Sequence, residues 1–169
     1  MSEFDPGVDP EPWLEALASA TAELSTTTLE LNGCNVLGER TSDEDLSGGY
    51  IALVGDKCSV QIAVAASPKT CRAIAGRLFE MNEEEAQDLP DGDVADAIGE
   101  VVNIVAGGVK SQMSSYDASL QLGLPFVIEG VIESTKRLRT KYLEADLGSG
   151  TKVVLVAIVD TRHAADAAA

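Results

Sequence analysis

The sequence predicts an α+β fold, in which long helices form one layer on a mostly antiparallel sheet and so make a two-layer sandwich. Three observations support this fold class. Apolar residues recur at helical spacing over two long stretches, residues 10–28 and 93–114. Several short apolar runs that are bounded by turn residues have the composition of strands. Short turns such as Gly55-Asp56-Lys57 join neighbouring runs, and such turns connect antiparallel strands.

The N-terminal half is predicted to hold two helices and three strands. Proline in the first turn favours the start of the first helix, and Asn32-Gly33 marks the break after it. Ser67 before Pro68 is a typical N-cap for the second helix. The predicted elements are a helix over residues 10–28, strands over 34–37, 49–55 and 58–65, and a helix over 67–79.

The C-terminal half is predicted to hold one long helix followed by strands. An acidic loop at residues 82–93 precedes this helix, and its run Glu83-Glu84-Glu85 can start a helical turn. The last strand is nearly all apolar, which predicts a place in the middle of the sheet. The predicted elements are a helix over 93–114 and strands over 126–132, 138–147 and 152–160.

Length and charge limit what kind of protein this is. At 169 residues the chain suits one domain, and we predict a disordered lead-in over residues 1–9, a single domain over 10–161 and an Ala-rich tail over 162–169. A net charge of −16 argues against a protein that binds nucleic acid or anionic membranes. No apolar run reaches the length of a membrane span, and the acidic N-terminus lacks the apolar part of a signal peptide. We therefore expect a cytoplasmic protein.

Few residues suit metal or disulfide chemistry. The three cysteines, Cys34, Cys58 and Cys71, lie among apolar neighbours and have no C-x-x-C spacing. The single histidine, His163, lies in the Ala-rich tail. We therefore expect neither a disulfide framework nor a metal site.

Four residues of the second long helix form the most informative pattern in the chain. The pattern is D-x-x-x-E-x-x-N-x-x-x-G, formed by Asp96, Glu100, Asn103 and Gly107. An α-helix rotates by about 100° per residue, so these residues lie within roughly 40–60° of one another around the helix axis. The ordinary interpretation is the solvated face of an amphipathic helix. The residues between them are nearly all apolar and core-like: Ala97, Ile98, Val101, Val102, Ile104, Val105 and Ala106.

Residues 93–110, which contain this pattern, closely resemble the signature helix of the CheC/CheX/FliY family of chemotaxis phosphatases. Residues 67–79 are similar to the helix that precedes it in that family, and residues 123–130 are similar to the Leu-Pro strand that follows it. The resemblance extends over roughly residues 10–160. It implies a CheC-like fold.

The resemblance also implies a substrate and a role for each signature residue. The substrate is the phosphorylated receiver protein CheY. Asn103 matches the residue that places the attacking water, and Glu100 matches the residue that pairs with the receiver's active-site lysine. Asp96 and Gly107 match further signature positions, for which we expect a role in substrate binding. The catalytic residues implied are thus Asn103 and Glu100.

The number of signatures implies how the chains assemble. In the first helix, Glu15 is spaced with Ala18 and Glu23 with Thr26, so neither pair has the asparagine. One signature per chain is the pattern of CheX, and in that branch two chains pair their sheets into a homodimer with two separate sites. We therefore expect a homodimer.

An asparagine suits this chemistry only for a reactive substrate. Its carboxamide accepts from water and donates to a phosphoryl oxygen, but it cannot ionise the water. Positioning is sufficient when the leaving group is good, as in an aspartyl phosphate, because phosphoryl transfer has a loose transition state. The phosphorylated receiver can supply Mg²⁺ and lysine, so we expect no cofactor on this chain itself.

Three questions stay open at this stage. One alternative is a non-catalytic adaptor that binds receivers in a signalling or motility complex. Another is an unrelated scaffold whose helix matches by chance, and such a chain need not have a Leu-Pro strand directly after the helix. The third question is Gly107, which either permits the close approach of another backbone or serves helix packing. Ala106 and Gly108 make this stretch thin, which suits insertion beside a partner.

Overall fold

The structure is a computed structural model that describes residues 5–40, 45–130 and 135–162. Over these residues the chain forms four helices and seven strands, which follow the predicted order with one short helix and one short strand added. In chain order they are α1 (Glu11–Thr27), β1 (Asn35–Glu39), β2 (Leu46–Val54), β3 (Ser59–Ala66), α2 (Pro68–Leu78), α3 (Glu83–Gln87), α4 (Asp91–Met113), β4 (Gln121–Leu122), β5 (Phe126–Gly130), β6 (Leu138–Asp146) and β7 (Lys152–Asp160).

The seven described strands form one sheet. Its order is β1-β6-β7-β3-β2-β4, and β5 also pairs with β2. Every pairing is antiparallel. The apolar strand β7 lies between β6 and β3, as predicted for a strand in the middle of the sheet, and residues 153–159 are buried.

The helices cover one face of this sheet, which confirms the predicted two-layer class. The main core joins Trp13 and Leu17 of α1 and Val102 of α4 to the side chains of one strand face, such as Ile62 and Leu155. The opposite strand face forms a smaller cluster without helix residues, which consists of Tyr50, Ala63, Val154, Val156 and Ile158. None of the described helices is apolar over enough residues to cross a membrane.

The predicted starts of α2 and α3 are confirmed by their caps. The Ser67 hydroxyl accepts a hydrogen bond from the backbone N–H of Thr70 at 3.2 Å, and Pro68 follows it. Asn82 and Glu85 form a capping box, which turns the acidic run after Asn82 into the short helix α3. The predicted loop at 82–93 is therefore helical in part.

The strand ends differ from the prediction in small ways. β1 is shifted toward the C-terminus and carries an irregularity between Val36 and Gly38. β4 was not predicted, because two residues give no measurable periodicity. β5 begins directly after Pro125, where the resemblance to the family implied it. The described part of β5 ends at Gly130, and residues 131 and 132 lie outside the described residues.

The chain ends are described in part. Residues 5–9 form a turn in which the Asp9 N–H donates to the Asp5 carbonyl at 2.7 Å. The indole N–H of Trp13 donates to the Pro6 carbonyl at 2.8 Å, which holds this turn against α1. Residues 1–4 and 163–169, which include His163, lie outside the described residues, as do residues 41–44 of the predicted polar loop.

Candidate functional site

The signature residues lie on α4, a helix of 23 residues. Its N-cap position is Pro90, which offers no side-chain hydrogen bond to the first turn. Instead, Arg72 of α2 donates to the Leu89 carbonyl and forms an ion pair with Asp91. Acidic residues Asp91 and Asp93 in the first turn also suit the positive end of the helix dipole. These contacts fix where α4 begins.

Two glycines bring α4 close to its neighbours. A Cβ added at Gly49 of β2 would lie 2.7 Å from the Ile98 carbonyl oxygen, so α4 rests almost directly on that strand. A Cβ added at Gly108 would lie 2.9 Å from the Cβ of Ala20 on α1. Ala106 is fully buried. The expectation that Ala106 and Gly108 leave room for a partner is therefore wrong, because both residues serve the fold's own packing.

The polar signature residues lie on the outer face of this helix. Asp96, Glu100 and Asn103 are exposed, and Gly107 is half-buried. In the part of the chain that the structure describes, the side chains of Asp96, Glu100 and Asn103 make no hydrogen bond or ion pair. All their hydrogen-bonding capacity is therefore available to a partner.

One residue departs from the predicted apolar face. Ile104 was predicted to be core-like with its apolar neighbours, but it is 41% exposed. The angle explains this difference, since Ile104 lies only about 40° from Glu100 around the helix axis. The other six apolar residues of that set are buried: Ala97, Ile98, Val101, Val102, Val105 and Ala106. A helical-wheel projection predicts the exposure of Ile104, whereas a count of apolar residues along the segment does not.

Gly107 has no neighbour that requires glycine. A Cβ added at Gly107 would meet nothing within 4 Å, in contrast to its neighbour Gly108. Of the two open roles for Gly107, helix packing therefore has no contact to support it among the described residues. The other long helix offers no equivalent site, since Ala18 replaces the amide there and the Thr26 hydroxyl donates to carbonyls of its own helix.

The remaining reactive groups are buried or dispersed. Burial raises the pKa of Cys58 to about 12 and that of Cys71 to about 11, so both thiols stay protonated near neutral pH. Burial also raises the pKa of Cys34. Among residues 5–40, 45–130 and 135–162, no group of three or more His, Cys, Asp or Glu side chains is placed to hold a metal ion.

Known proteins resemble this chain in sequence pattern and in fold. The profile of the family described as chemotaxis phosphatase CheX matches residues 47–143, which include the whole signature. No curated protein sequence matches the chain significantly.

Solved structures share the fold at low sequence identity. A CheC-like superfamily protein from Shewanella sp. PV-4 aligns with a TM-score of 0.67 at 15% identity, covering 88% of this chain and 97% of that one. The chemotaxis protein CheX from Vibrio vulnificus aligns with a TM-score of 0.67 at 18% identity, covering 88% and 96%. The CheX of a CheX–CheY–BeF₃–Mg²⁺ complex from Borrelia burgdorferi aligns with a TM-score of 0.63 at 21% identity, covering 88% and 96%.

Proposed function

This chain belongs to the CheX family of chemotaxis phosphatases, and from that premise we propose that it hydrolyses the aspartyl phosphate of a CheY-type response regulator. The observation that carries the proposal is the exposure of Glu100 and Asn103 on one face of α4 without any partner in the described chain. The complex of the Borrelia burgdorferi CheX with CheY, BeF₃ and Mg²⁺ supports a receiver as the partner.

In the proposed reaction Asn103 orients water and does not ionise it. Its carboxamide oxygen accepts a hydrogen bond from the water, while its N–H₂ group can donate to a phosphoryl oxygen. The water oxygen forms a bond to phosphorus as the bond between phosphorus and the aspartyl oxygen breaks. The products are the free aspartate carboxylate and inorganic phosphate. Because this leaving group is good, orientation provides most of what the reaction needs.

Glu100 is proposed to hold the receiver in place. It lies one turn before Asn103 on the same face, so a cation that it attracts lies close to the reacting group. We propose that this cation is the receiver's active-site lysine, and that the receiver also carries the Mg²⁺ that screens phosphoryl charge. Asp96 and Gly107 extend the proposed contact by about one turn on either side.

We further propose that two chains form a homodimer in which each chain keeps its own site. The independence of the two sites is supported by the position of all four signature residues on a single helix of a single chain, so that a site needs no residue from a second copy. The proposed output is control of chemotaxis or motility through the phosphorylation level of the receiver.

The decay of a phosphorylated CheY-type receiver tests the proposal directly. With Mg²⁺ present, the wild-type chain should accelerate loss of the phosphoryl group. Asn103→Ala should remove this acceleration but leave affinity for the BeF₃-activated receiver within about twofold, because water positioning and docking are separate tasks. Gln112→Ala, which removes an exposed amide elsewhere on α4, is the matched control and should keep full activity.

Glu100→Ala should have the complementary effect in the same assay. It should weaken receiver binding by about 1–3 kcal/mol, the range for a charge-assisted hydrogen bond. Glu23→Ala, an exposed glutamate on α1, is its control. If the wild type binds the activated receiver but does not accelerate decay, the chain is a non-catalytic adaptor and not a phosphatase. If Asn103→Ala loses binding and turnover equally, the water-positioning role is contradicted.

A further inference from the structure

We propose that Ile104 is an affinity-determining contact beside the docking face on α4, which consists of Asp96, Glu100, Asn103 and Gly107, and that its exposed apolar side chain adds affinity for the receiver and takes no part in hydrolysis. The inference rests on the proposed function, since the receiver is the partner that would cover this side chain. It concerns a residue outside the four signature positions.

Exposure sets Ile104 apart from the other apolar residues of the helices. It is 41% exposed, whereas the other large apolar side chains that are exposed lie on strands or in loops. Single exposed apolar residues are ordinary on protein surfaces. Here the position makes the difference, because Ile104 lies one turn after Glu100 and about 40° from it around the helix axis.

The residues that follow Ile104 leave part of its C-terminal side uncovered. Residues three and four positions further along a helix are those whose side chains lie beside a given residue. For Ile104 these are Gly107, where an added Cβ would meet nothing within 4 Å, and Gly108, which packs against Ala20 of α1. Ile104 therefore borders open space on its Gly107 side, and Glu100 lies one turn before it.

A receiver that reached both polar residues would cover Ile104. Ile104 and Asn103 lie on either side of Glu100, about 40° and 60° from it around the helix axis, and Ile104 is one helical turn after Glu100. A globular partner that places a phosphoryl group at Asn103 and a lysine at Glu100 would therefore lie against Ile104 at the edge of the contact. Covering the exposed part of an isoleucine corresponds to about a tenfold gain in affinity.

The test separates affinity from turnover. Receiver dephosphorylation is measured over a range of receiver concentrations, and the Kd for BeF₃-activated receiver is measured independently. Ile104→Ala should raise both the Kd and the half-saturating concentration about tenfold and leave kcat unchanged. Ile104→Leu should restore most of the affinity. Ile104→Ala should also keep the wild-type Tm or raise it slightly, because alanine is the better helix former.

Val54→Ala is the matched control. Val54 is also a β-branched apolar residue and is 46% exposed. It lies four residues after Tyr50 on β2, so both side chains are on the sheet face opposite the helices. It should leave Kd, half-saturation and kcat unchanged.

The outcomes distinguish this inference from the proposed function. If the wild type accelerates decay and Ile104→Ala behaves like Val54→Ala, the role of Ile104 is overturned while the phosphatase stands. A loss confined to kcat would also overturn it. If the wild type binds the receiver without accelerating decay, a tenfold weaker Kd for Ile104→Ala supports the contact although hydrolysis fails. Absence of binding by the wild type overturns both.

Discussion

Glycines at different positions of α4 have different surroundings, and this separates residues needed by the fold from residues that face outward. Gly108 packs against Ala20, whereas a Cβ at Gly92, Gly99 or Gly107 would meet nothing within 4 Å. Glycine inside a helix costs about 0.5–1 kcal/mol relative to alanine. At Gly107 that cost has no packing benefit in the described chain, which favours a role in the approach of a partner.

Replacing Gly107 with alanine should therefore change stability and activity in opposite directions. Gly107→Ala should raise the free energy of unfolding by about 0.5–1 kcal/mol, because the new methyl group enters open space on a helix. It should lower receiver dephosphorylation several-fold, because the methyl group holds the receiver away from Asn103. Urea unfolding and phosphate release measure the two effects.

Gly92→Ala is the control for this pair of effects. It makes the same substitution into open space on the same helix, about 22 Å from Gly107. It should not lower activity, and its effect on stability should be smaller, because it lies in the first turn. Full activity of Gly107→Ala would contradict the close-approach role, and the structure would then give no reason for a glycine at position 107.

At the scale of the elements, a buried aspartate joins the β2–β3 turn to the segment after α4. Asp117 is 3% exposed, and its carboxylate accepts from the backbone N–H of Lys57 at 2.8 Å and of Ser119 at 3.0 Å. Burial alone would raise the pKa of Asp117, but the Ser119 hydroxyl and these two N–H groups outweigh burial and lower the pKa below its ordinary value. The ionised form therefore holds the C-terminal end of α4 to the sheet.

Asp117→Asn should destabilise the fold by about 1–3 kcal/mol at pH 7, because an amide N–H₂ would face N–H donors in a buried position. A lowered pKa in the folded state gives stability that is present above the unfolded pKa of about 3.9 and is lost as pH falls through the folded value. The difference in the free energy of unfolding between the wild type and Asp117→Asn should consequently shrink below about pH 4. Urea unfolding at a series of pH values measures this difference. The control is Asp56→Asn, at an exposed position in the same turn, which should change the free energy of unfolding little.

The elements that the sequence predicted well are those whose pattern is local. The spacing of apolar residues located α1 and α4 to within two residues, and the serine–proline pair located the start of α2. The stripe of Asp96, Glu100 and Asn103 followed from periodicity alone, and the structure places it on the exposed face. β4 escaped prediction, because its two residues depend on a pairing with β2 that lies far away in the sequence.

The features that depend on tertiary neighbours could not be predicted in this way. Gly107 and Gly108 are adjacent and identical in sequence, yet only Gly108 meets another helix. Which of them packs depends on where α1 crosses α4, and no local pattern contains that crossing. The exposure of Ile104 differs in this respect, because its angle of about 40° from Glu100 around the helix axis already indicates it.

At the scale of the whole molecule, the two edges of the sheet differ in how well they suit pairing with a second chain. Among the described strands, β1 pairs only with β6, and its irregularity between Val36 and Gly38 disfavours a further partner. In the same described part of the chain, β5 pairs only with β2, in a regular register. Beside it, Leu124 is 87% exposed and Phe126 is 44% exposed. The β5 edge therefore suits the proposed homodimer better than the β1 edge.

Light scattering on the purified chain tests this choice of edge. The wild type should have about twice the 17.6 kDa mass of one chain, and Leu124→Glu should shift it toward the monomer, because a carboxylate at a buried contact loses its hydration. Leu37→Glu, at the β1 edge where Leu37 is 49% exposed, should leave the dimer intact. The reverse result would assign the interface to β1, and a monomeric wild type would remove the dimer altogether. Because Glu100 and Asn103 come from one helix, the monomeric variant should keep its turnover per chain, and a loss of turnover on dissociation would mean that the site extends into the second copy.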